Sequence, residues 1–203
     1  GEPRQAFITP NHEPSATDEY YVSYAWGDAT QEGREREAVV DKLCDAAERQ
    51  GKRIIRDKTA MQLGDRISRF MARIGRGDRI FIVLSDKYLR SAYCMHELHE
   101  VWRQCRGDDA EFIARTRVFV LPSAEIDTVA RRAQYAIHWK KALDDTGALV
   151  KAHGQLVLSD DDNADYRRML RFAGETANIL RLVHDTLRPA SFEDFVKYGL
   201  GDG

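Results

Sequence analysis

The segment RIFIVLS, residues 79–85, restricts the possible folds of this chain more than any other feature. It is a short, almost uninterrupted apolar run, with Gly77 shortly before it and Asp86 directly after it. Such a run is typical of a strand that is buried on both faces, which occurs mainly in parallel sheets covered by helices on either side. We therefore expect an α/β domain built around this strand.

The remaining apolar pattern predicts three more strands and four helices. The strands are EYYVSYAW (19–26), KRIIRD (52–57) and RVFVLP (117–122). The helices are expected at about 32–50, 66–74, 91–105 and 165–187, the last with an apolar face of Tyr166, Leu170, Ala173, Ala177 and Leu180. Because strands alternate with helices over short links, right-handed crossovers should place the strands in one parallel sheet. Ligands of such sheets bind beyond the carboxyl ends of the strands, here residues 24–28, 56–57 and 85–86.

This alternating pattern defines a single domain over residues 19–188. Residues 1–18 hold three prolines and no sustained period, so we expect a flexible tail or linker. Pro189 should end the last helix, and we interpret residues 189–203 as a C-terminal tail or a linker to a further domain. The sequence starts at Gly1 rather than Met, which favours a domain of a longer protein.

Charge and composition argue against nucleic acid or a membrane as the main partner. Lys and Arg number 31 against 33 Asp and Glu, a formal net charge of −2. No apolar run approaches the roughly 20 residues that span a bilayer, and no signal peptide is evident. Cys44, Cys94 and Cys105 are odd in number and lack the pairing of a metal site, which favours the reducing cytoplasm.

The nucleotide-binding and metal motifs that the chain superficially offers do not fit. AWGDATQEG, after the first strand, matches neither the dinucleotide fingerprint nor the phosphate loop. HELHE looks like the zinc motif H-E-x-x-H, but His96 and His99 are three residues apart rather than four, and no third ligand is evident. A helical projection puts both histidines outside the apolar stripe, so we expect them to face solvent without a metal.

Glu97 occupies an ambiguous position in the segment SAYCMHEL, residues 91–98. On a helix with about 100° per residue, it falls just beyond the edge of the apolar arc and one turn after Tyr93. Periodicity leaves two interpretations open: a boundary carboxylate that reaches water, or a functional acid at the ligand-binding end of the sheet. Cys94 projects into the core, and no base is evident that would make it a nucleophile.

Other residues near the strand ends allow two interpretations each. Trp26 could stack on a base or a nicotinamide ring, or pack against the following helix. Arg56 and Arg66 flank the second loop and could bind a pyrophosphate bidentately, or be ordinary surface arginines.

Three segments in order resemble the Toll/interleukin-1 receptor (TIR) domain family. YYVSYAWGD is similar to its first conserved box, and IIRDKTAMQLGD to its second strand and BB loop. RIFIVLSDKYLRSAYCMHEL is similar to its third strand and the S-x-x-Y-x-x-S-x-[WY]-C-x-x-E-L segment that follows. The resemblance runs from about Glu19 to Leu121 and favours the bacterial and plant branches; Leu63 stands where a proline often precedes the BB-loop glycine.

The resemblance implies a flavodoxin-like three-layer sandwich with five parallel strands, and in enzymatic members cleavage of NAD+ at the nicotinamide–ribose bond. By motif position Glu97 would be catalytic and Tyr93 its aromatic neighbour. The substrate-binding positions would be Ala25, Trp26, Asp65 and Arg66. NAD+ would be the substrate, with no cofactor and no metal, and copies would self-associate through TIR–TIR contacts that include the BB loop, residues 58–64.

One acid suits this chemistry. Glycoside cleavage usually needs two carboxylates because the leaving oxygen must be protonated. The nicotinamide of NAD+ is already cationic and leaves neutral, so a single carboxylate that stabilises the positive sugar can suffice. We expect an NAD+ hydrolase or cyclase that serves as an effector in bacterial anti-phage or immune-like signalling. The alternatives are a non-catalytic TIR scaffold for homotypic assembly, and a nucleoside-transferring or nucleotide-sensing domain.

Overall fold

The computed structural model describes residues 19–56, 69, 79–187, 189 and 191–201. Its strands are β1 (Glu19–Tyr24), β2 (Arg53–Arg56), β3 (Arg79–Leu84) and β4 (Thr116–Val120). Its helices are α1 (Gln31–Arg49), α2 (Asp86–Arg90), α3 (Ala92–Gln104), α4 (Asp109–Arg115), α5 (Val129–His153), α6 (Asp160–Leu182) and α7 (Phe192–Leu200). A 3₁₀ turn (Gln155–Val157) joins α5 to α6, and a π-helical turn (Val183–Leu187) extends α6. The strands are parallel in the order β2-β1-β3-β4.

The central strand β3 is buried on both faces, as its apolar run predicts. Ile80, Ile82 and Leu84 belong to a core cluster with residues of α3, α5 and α6. Phe81 and Val83 point the opposite way, into a second cluster with α1 and α7. Each of the five side chains is at most 1% exposed. Alternate side chains of β3 therefore pack into two separate cores, and the α/β sandwich is confirmed.

The described residues form four strands rather than the five that the family resemblance implied. All four are strands predicted from the apolar pattern, although β1 ends at Tyr24 rather than at Trp26. The segment from Ser123 to Asp162, which carries no clear strand pattern, contains the 25-residue helix α5 instead. Residues 1–18 and most of the predicted helix at 66–74 lie outside the described part of the chain.

Helix α6 buries a face that overlaps only partly with the predicted one. It begins at Asp160, five residues earlier than expected, because Ser159 and Asp162 form a capping box. Leu170, expected in the core, is 67% exposed. The buried residues of the helix are Phe172, Thr176, Ile179 and Leu180, of which Leu180 was predicted, and the predicted Ala173 also packs against the core. Because Thr176 is polar, the apolar pattern does not include it in the buried face.

The assignment of residues 189–203 to a tail was wrong for residues 192–200. They form α7, whose N-cap Ser191 accepts a hydrogen bond from the Asp194 amide. Phe195 is 2% exposed and lies against Phe81, with ring centroids 5.5 Å apart. The folded domain thus includes α7, which covers the α1 side of the sheet. None of the helices in the described ranges is long and apolar enough to span a bilayer.

Candidate functional site

Glu97 is buried against the sheet instead of reaching water. Ser91 caps helix α3, since its hydroxyl accepts from the Cys94 amide, and the helix packs Met95 and Leu98 into the core. Glu97 is only 3% exposed. A carboxylate at this depth requires hydrogen-bond partners.

Two hydroxyl groups of β1 supply those partners. Tyr21 Oη donates to Glu97 Oε1 at 2.7 Å, and Ser23 Oγ donates to Oε2 at 2.5 Å. Ser23 Oγ also lies 2.8 Å from Tyr88 Oη of α2. Sequence reasoning missed all three hydroxyls. Strand alternation could have identified two of them. Tyr21 and Ser23 are two residues apart, so they lie on the same face of β1, and Ser23 is a small polar residue within an otherwise apolar strand.

An aromatic pair lies one helical turn from Glu97. The rings of Trp26 and Tyr93 have centroids 5.9 Å apart and planes tilted by 48°. Both side chains are half-buried, and Trp26 follows the carboxyl end of β1. The structure thus brings together Trp26, Tyr93 and Glu97, three of the residues that the sequence selected.

The backbone of the loop after β1 is held by two basic side chains. Buried Arg36 donates through Nε to the Ala25 carbonyl at 3.2 Å and through Nη2 to the Trp26 carbonyl at 3.3 Å. Lys87 Nζ lies 3.2 Å from the Trp26 carbonyl and 2.6 Å from Asp28 Oδ2. The hydrogen bond from Lys87 lowers the pKa of Asp28, which therefore stays anionic at neutral pH. These contacts fix the position of Trp26.

Arg56 and Glu97 lie on opposite sides of the sheet. Arg56 is paired with Glu37 at 2.9 Å and Asp41 at 2.6 Å, both on α1, and lies 3.3 Å from Tyr24 Oη. Tyr24 belongs to the α1-side core, whereas Glu97 faces the α3 side. The structure therefore does not bring Arg56 to Glu97, and its role in binding pyrophosphate is unsupported.

The other predicted site residues differ in their placement. Ala25 is buried at the carboxyl end of β1, with its side chain in the α3-side core. It can therefore position the loop but offers no functional group. Asp65, Arg66 and the BB loop, residues 58–64, lie outside the described residues.

Neither the cysteine nor the histidines of α3 offers alternative chemistry. Burial raises the pKa of Cys94 to about 12, so its thiol remains protonated at neutral pH. The prediction of two solvent-facing histidines was wrong, since His99 is 5% exposed and His96 is half-buried. Helix α6 covers that side of α3. Across the described ranges, no group of three or more His, Cys, Asp or Glu residues could hold a metal ion.

Comparison with known proteins identifies a family. A family model described as TIR domain matches residues 21–148, which is more than half of the chain. A search of curated proteins found no match. The matched region contains the whole hydroxyl–carboxylate cluster of Tyr21, Ser23, Tyr88 and Glu97, together with Trp26 and Tyr93. With this sheet order and this match, the chain belongs to the TIR domain family.

Proposed function

We propose that this domain cleaves NAD+ at the nicotinamide–ribose bond, with Glu97 as the catalytic carboxylate. The observation that carries the proposal is the buried carboxylate itself. Oε1 accepts from Tyr21 and Oε2 from Ser23, so its direction is fixed at the ligand-binding end of a parallel sheet. Trp26 and Tyr93 add aromatic surface beside it. This combination supports binding of a nucleotide that carries a flat cationic ring.

The chemistry requires only one acid. When the bond between ribose C1′ and nicotinamide breaks, its electron pair goes to the ring nitrogen, and nicotinamide leaves as a neutral molecule. The positive charge that develops on the sugar is stabilised by the Glu97 carboxylate, which can also accept from ribose hydroxyls because each oxygen has a second lone pair. Water then bonds to C1′ and loses a proton to give ADP-ribose, or an atom of the same nucleotide attacks to give a cyclic product.

The burial of Glu97 supports an activity that depends on assembly. At 3% exposure the carboxylate is not accessible to a substrate in the single chain, so the residues that cover it must move. Contacts between copies, including the BB loop at residues 58–64, are the proposed source of that change. We therefore expect weak activity of the dilute domain, and we propose that the domain serves as an effector in bacterial anti-phage or immune-like signalling.

The test is NAD+ turnover by concentrated or artificially clustered protein, followed by mass spectrometry of the products. Wild type should release nicotinamide together with ADP-ribose or a cyclic isomer, and Glu97→Ala should not. Equal activity of the two proteins would remove Glu97 from the mechanism.

A non-catalytic scaffold is the second candidate, and one observation favours it. Both oxygens of Glu97 already have hydroxyl partners, so the acid could serve only to join α3 to β1. No NAD+ loss under any clustering, with self-association abolished by substitutions in residues 58–64, would identify the scaffold.

A further inference from the structure

We propose that Tyr88 is a positioning residue for the NAD+-cleaving reaction and that it acts on Glu97 through Ser23. This inference rests on the proposed function and adds a residue whose hydroxyl contacts Ser23. Tyr88, Ser23 and Glu97 come from α2, β1 and α3, respectively, and are 0%, 2% and 3% exposed. The three side chains form one buried chain of hydrogen bonds.

The direction of this chain follows from counting protons. Ser23 has a single hydroxyl hydrogen, and it is directed to Glu97 Oε2 at 2.5 Å. The 2.8 Å contact between Ser23 Oγ and Tyr88 Oη must then use the tyrosine hydrogen. Burial raises the pKa of Tyr88 well above its ordinary value, so this hydrogen is retained. Tyr88 therefore donates to Ser23, and Ser23 donates to Glu97.

A directed chain of this kind has two consequences for the carboxylate. The Tyr88 hydrogen bond polarises the Ser23 hydroxyl and strengthens its donation to Glu97. It also removes rotational freedom, because a serine hydroxyl without a donor could turn away from Oε2. Glu97 is thereby held in one orientation before a substrate binds, which is the preorganisation that electrostatic catalysis needs.

The motif segment places Tyr88 for this task. Ser85 caps α2 by accepting from the Tyr88 amide at 3.1 Å, and Ser91 caps α3 by accepting from the Cys94 amide at 3.3 Å. The two capped helices follow each other directly and bring the Tyr88 hydroxyl and the Glu97 carboxylate to the same residue of β1. The spacing from Ser85 to Glu97 therefore sets the geometry of the hydrogen-bond chain.

A double-mutant cycle on NAD+ cleavage separates positioning from mere packing. The clustered protein is assayed as wild type, Ser23→Ala, Tyr88→Phe and the double variant. Ser23→Ala should lower kcat about 10- to 100-fold because a bond to a charged group is lost. Tyr88→Phe should lower it about 2- to 10-fold, the effect of a bond between neutral groups. KM should change little in either protein.

The double variant is decisive. If Tyr88 acts through Ser23, its kcat equals that of Ser23→Ala alone, and the acid limb of the pH–rate profile moves to higher pH in both single variants. If the two effects multiply, or if Tyr88→Phe leaves kcat unchanged, the proposal is overturned. Tyr20→Phe is the matched control, since Tyr20 is buried on the face of β1 opposite to that of Ser23.

A titration that needs no turnover distinguishes this proposal from the proposed function. The Glu97 carboxyl is followed by carbon-13 NMR in glutamate-labelled protein and assigned with Glu97→Gln. If the Glu97 carboxyl titrates at higher pH in both Ser23→Ala and Tyr88→Phe than in wild type, the hydrogen-bond chain is supported. That result would stand even if the wild type failed to cleave NAD+, since such a failure would overturn only the proposed activity. An unchanged titration in Tyr88→Phe overturns the role of Tyr88.

Discussion

Nδ1 of His99 lies 3.0 Å from Oε2 of Glu175, and this contact joins the helix that carries Glu97 to α6. The His99 ring also packs against Phe172, with centroids 5.0 Å apart, and its Nε2 lies 3.5 Å from Thr176 Oγ1. Burial lowers the pKa of His99, although the nearby Glu175 carboxylate opposes the shift. Arg171 and His96 add to the lowering.

Acidification should therefore destabilise the domain through His99. Above the ordinary histidine pKa of 6.5, the ring is neutral in both the folded and the unfolded chain. As the pH falls from there toward the lowered pKa of the folded state, only the unfolded chain gains a proton. The free energy of unfolding then decreases. Urea unfolding at pH 7.5 and about 5.5 should show a smaller decrease for His99→Gln than for wild type. His153→Gln, at an exposed position, is the control. An equal decrease in the free energy of unfolding for all three proteins would contradict the prediction.

Removal of the Trp26 ring should weaken binding of NAD+. If the ring stacks on the substrate, Trp26→Ala should raise KM by about tenfold, the upper range for an aromatic pair. Trp26→Phe keeps a flat face and should lie close to wild type. Steady-state kinetics on clustered protein measures both. An unchanged KM in Trp26→Ala would assign the ring to packing against Tyr93.

Replacement of Arg56 should affect stability and not substrate binding. Arg56→Ala breaks the ion pairs with Glu37 and Asp41 and should lower the free energy of unfolding by about 1 kcal/mol, since the group is partly exposed. KM for NAD+ should stay at the wild-type value because Arg56 lies on the α1 side of the sheet. A raised KM with unchanged stability would restore the pyrophosphate role.

Helix α7 should contribute to stability. Phe195 packs between Phe81 and Phe119 and is 2% exposed, so Phe195→Ala should lower the free energy of unfolding by about 3–5 kcal/mol. Tyr198 on the same helix is 73% exposed, and Tyr198→Ala should change it by less than about 0.5 kcal/mol. Denaturant titration of both variants checks the difference, and equal effects would contradict the placement of α7.

The sequence predicted the four observed strands because each contains an apolar run or a period-two alternation of apolar residues. Helix α7 was missed although Phe192, Phe195, Val196, Gly199 and Leu200 follow helical spacing. Its nine residues come after Pro189, and a short pattern at a chain end resembles a linker. Its burial depends on the open α1 side of the sheet, which is a property of the tertiary structure.

The candidate site was predictable only in part, because the contacts of some of its residues depend on tertiary packing. Glu97, Tyr93 and Trp26 were identified by motif and by position at the strand ends, and the structure brings them together. The exposure of His99 was predicted wrongly because the helical projection of α3 considered packing against the sheet alone. The side of α3 that faces away from the sheet is covered by Phe172 and Thr176 of α6. Arg56 was selected because it flanks the second loop, whereas in the structure it pairs with Glu37 and Asp41 of α1, contacts that no local sequence pattern predicts.

The most direct measurement is NAD+ turnover by clustered Glu97→Gln beside clustered wild type. Glutamine preserves the volume and an acceptor oxygen but removes the negative charge that the developing sugar cation requires. We predict turnover at least about 100-fold below wild type with little change in melting temperature. The control is Glu100→Gln, a buried acid of the same helix that pairs with Arg103, which should retain activity. Wild-type turnover by Glu97→Gln would show that Glu97 serves structure alone.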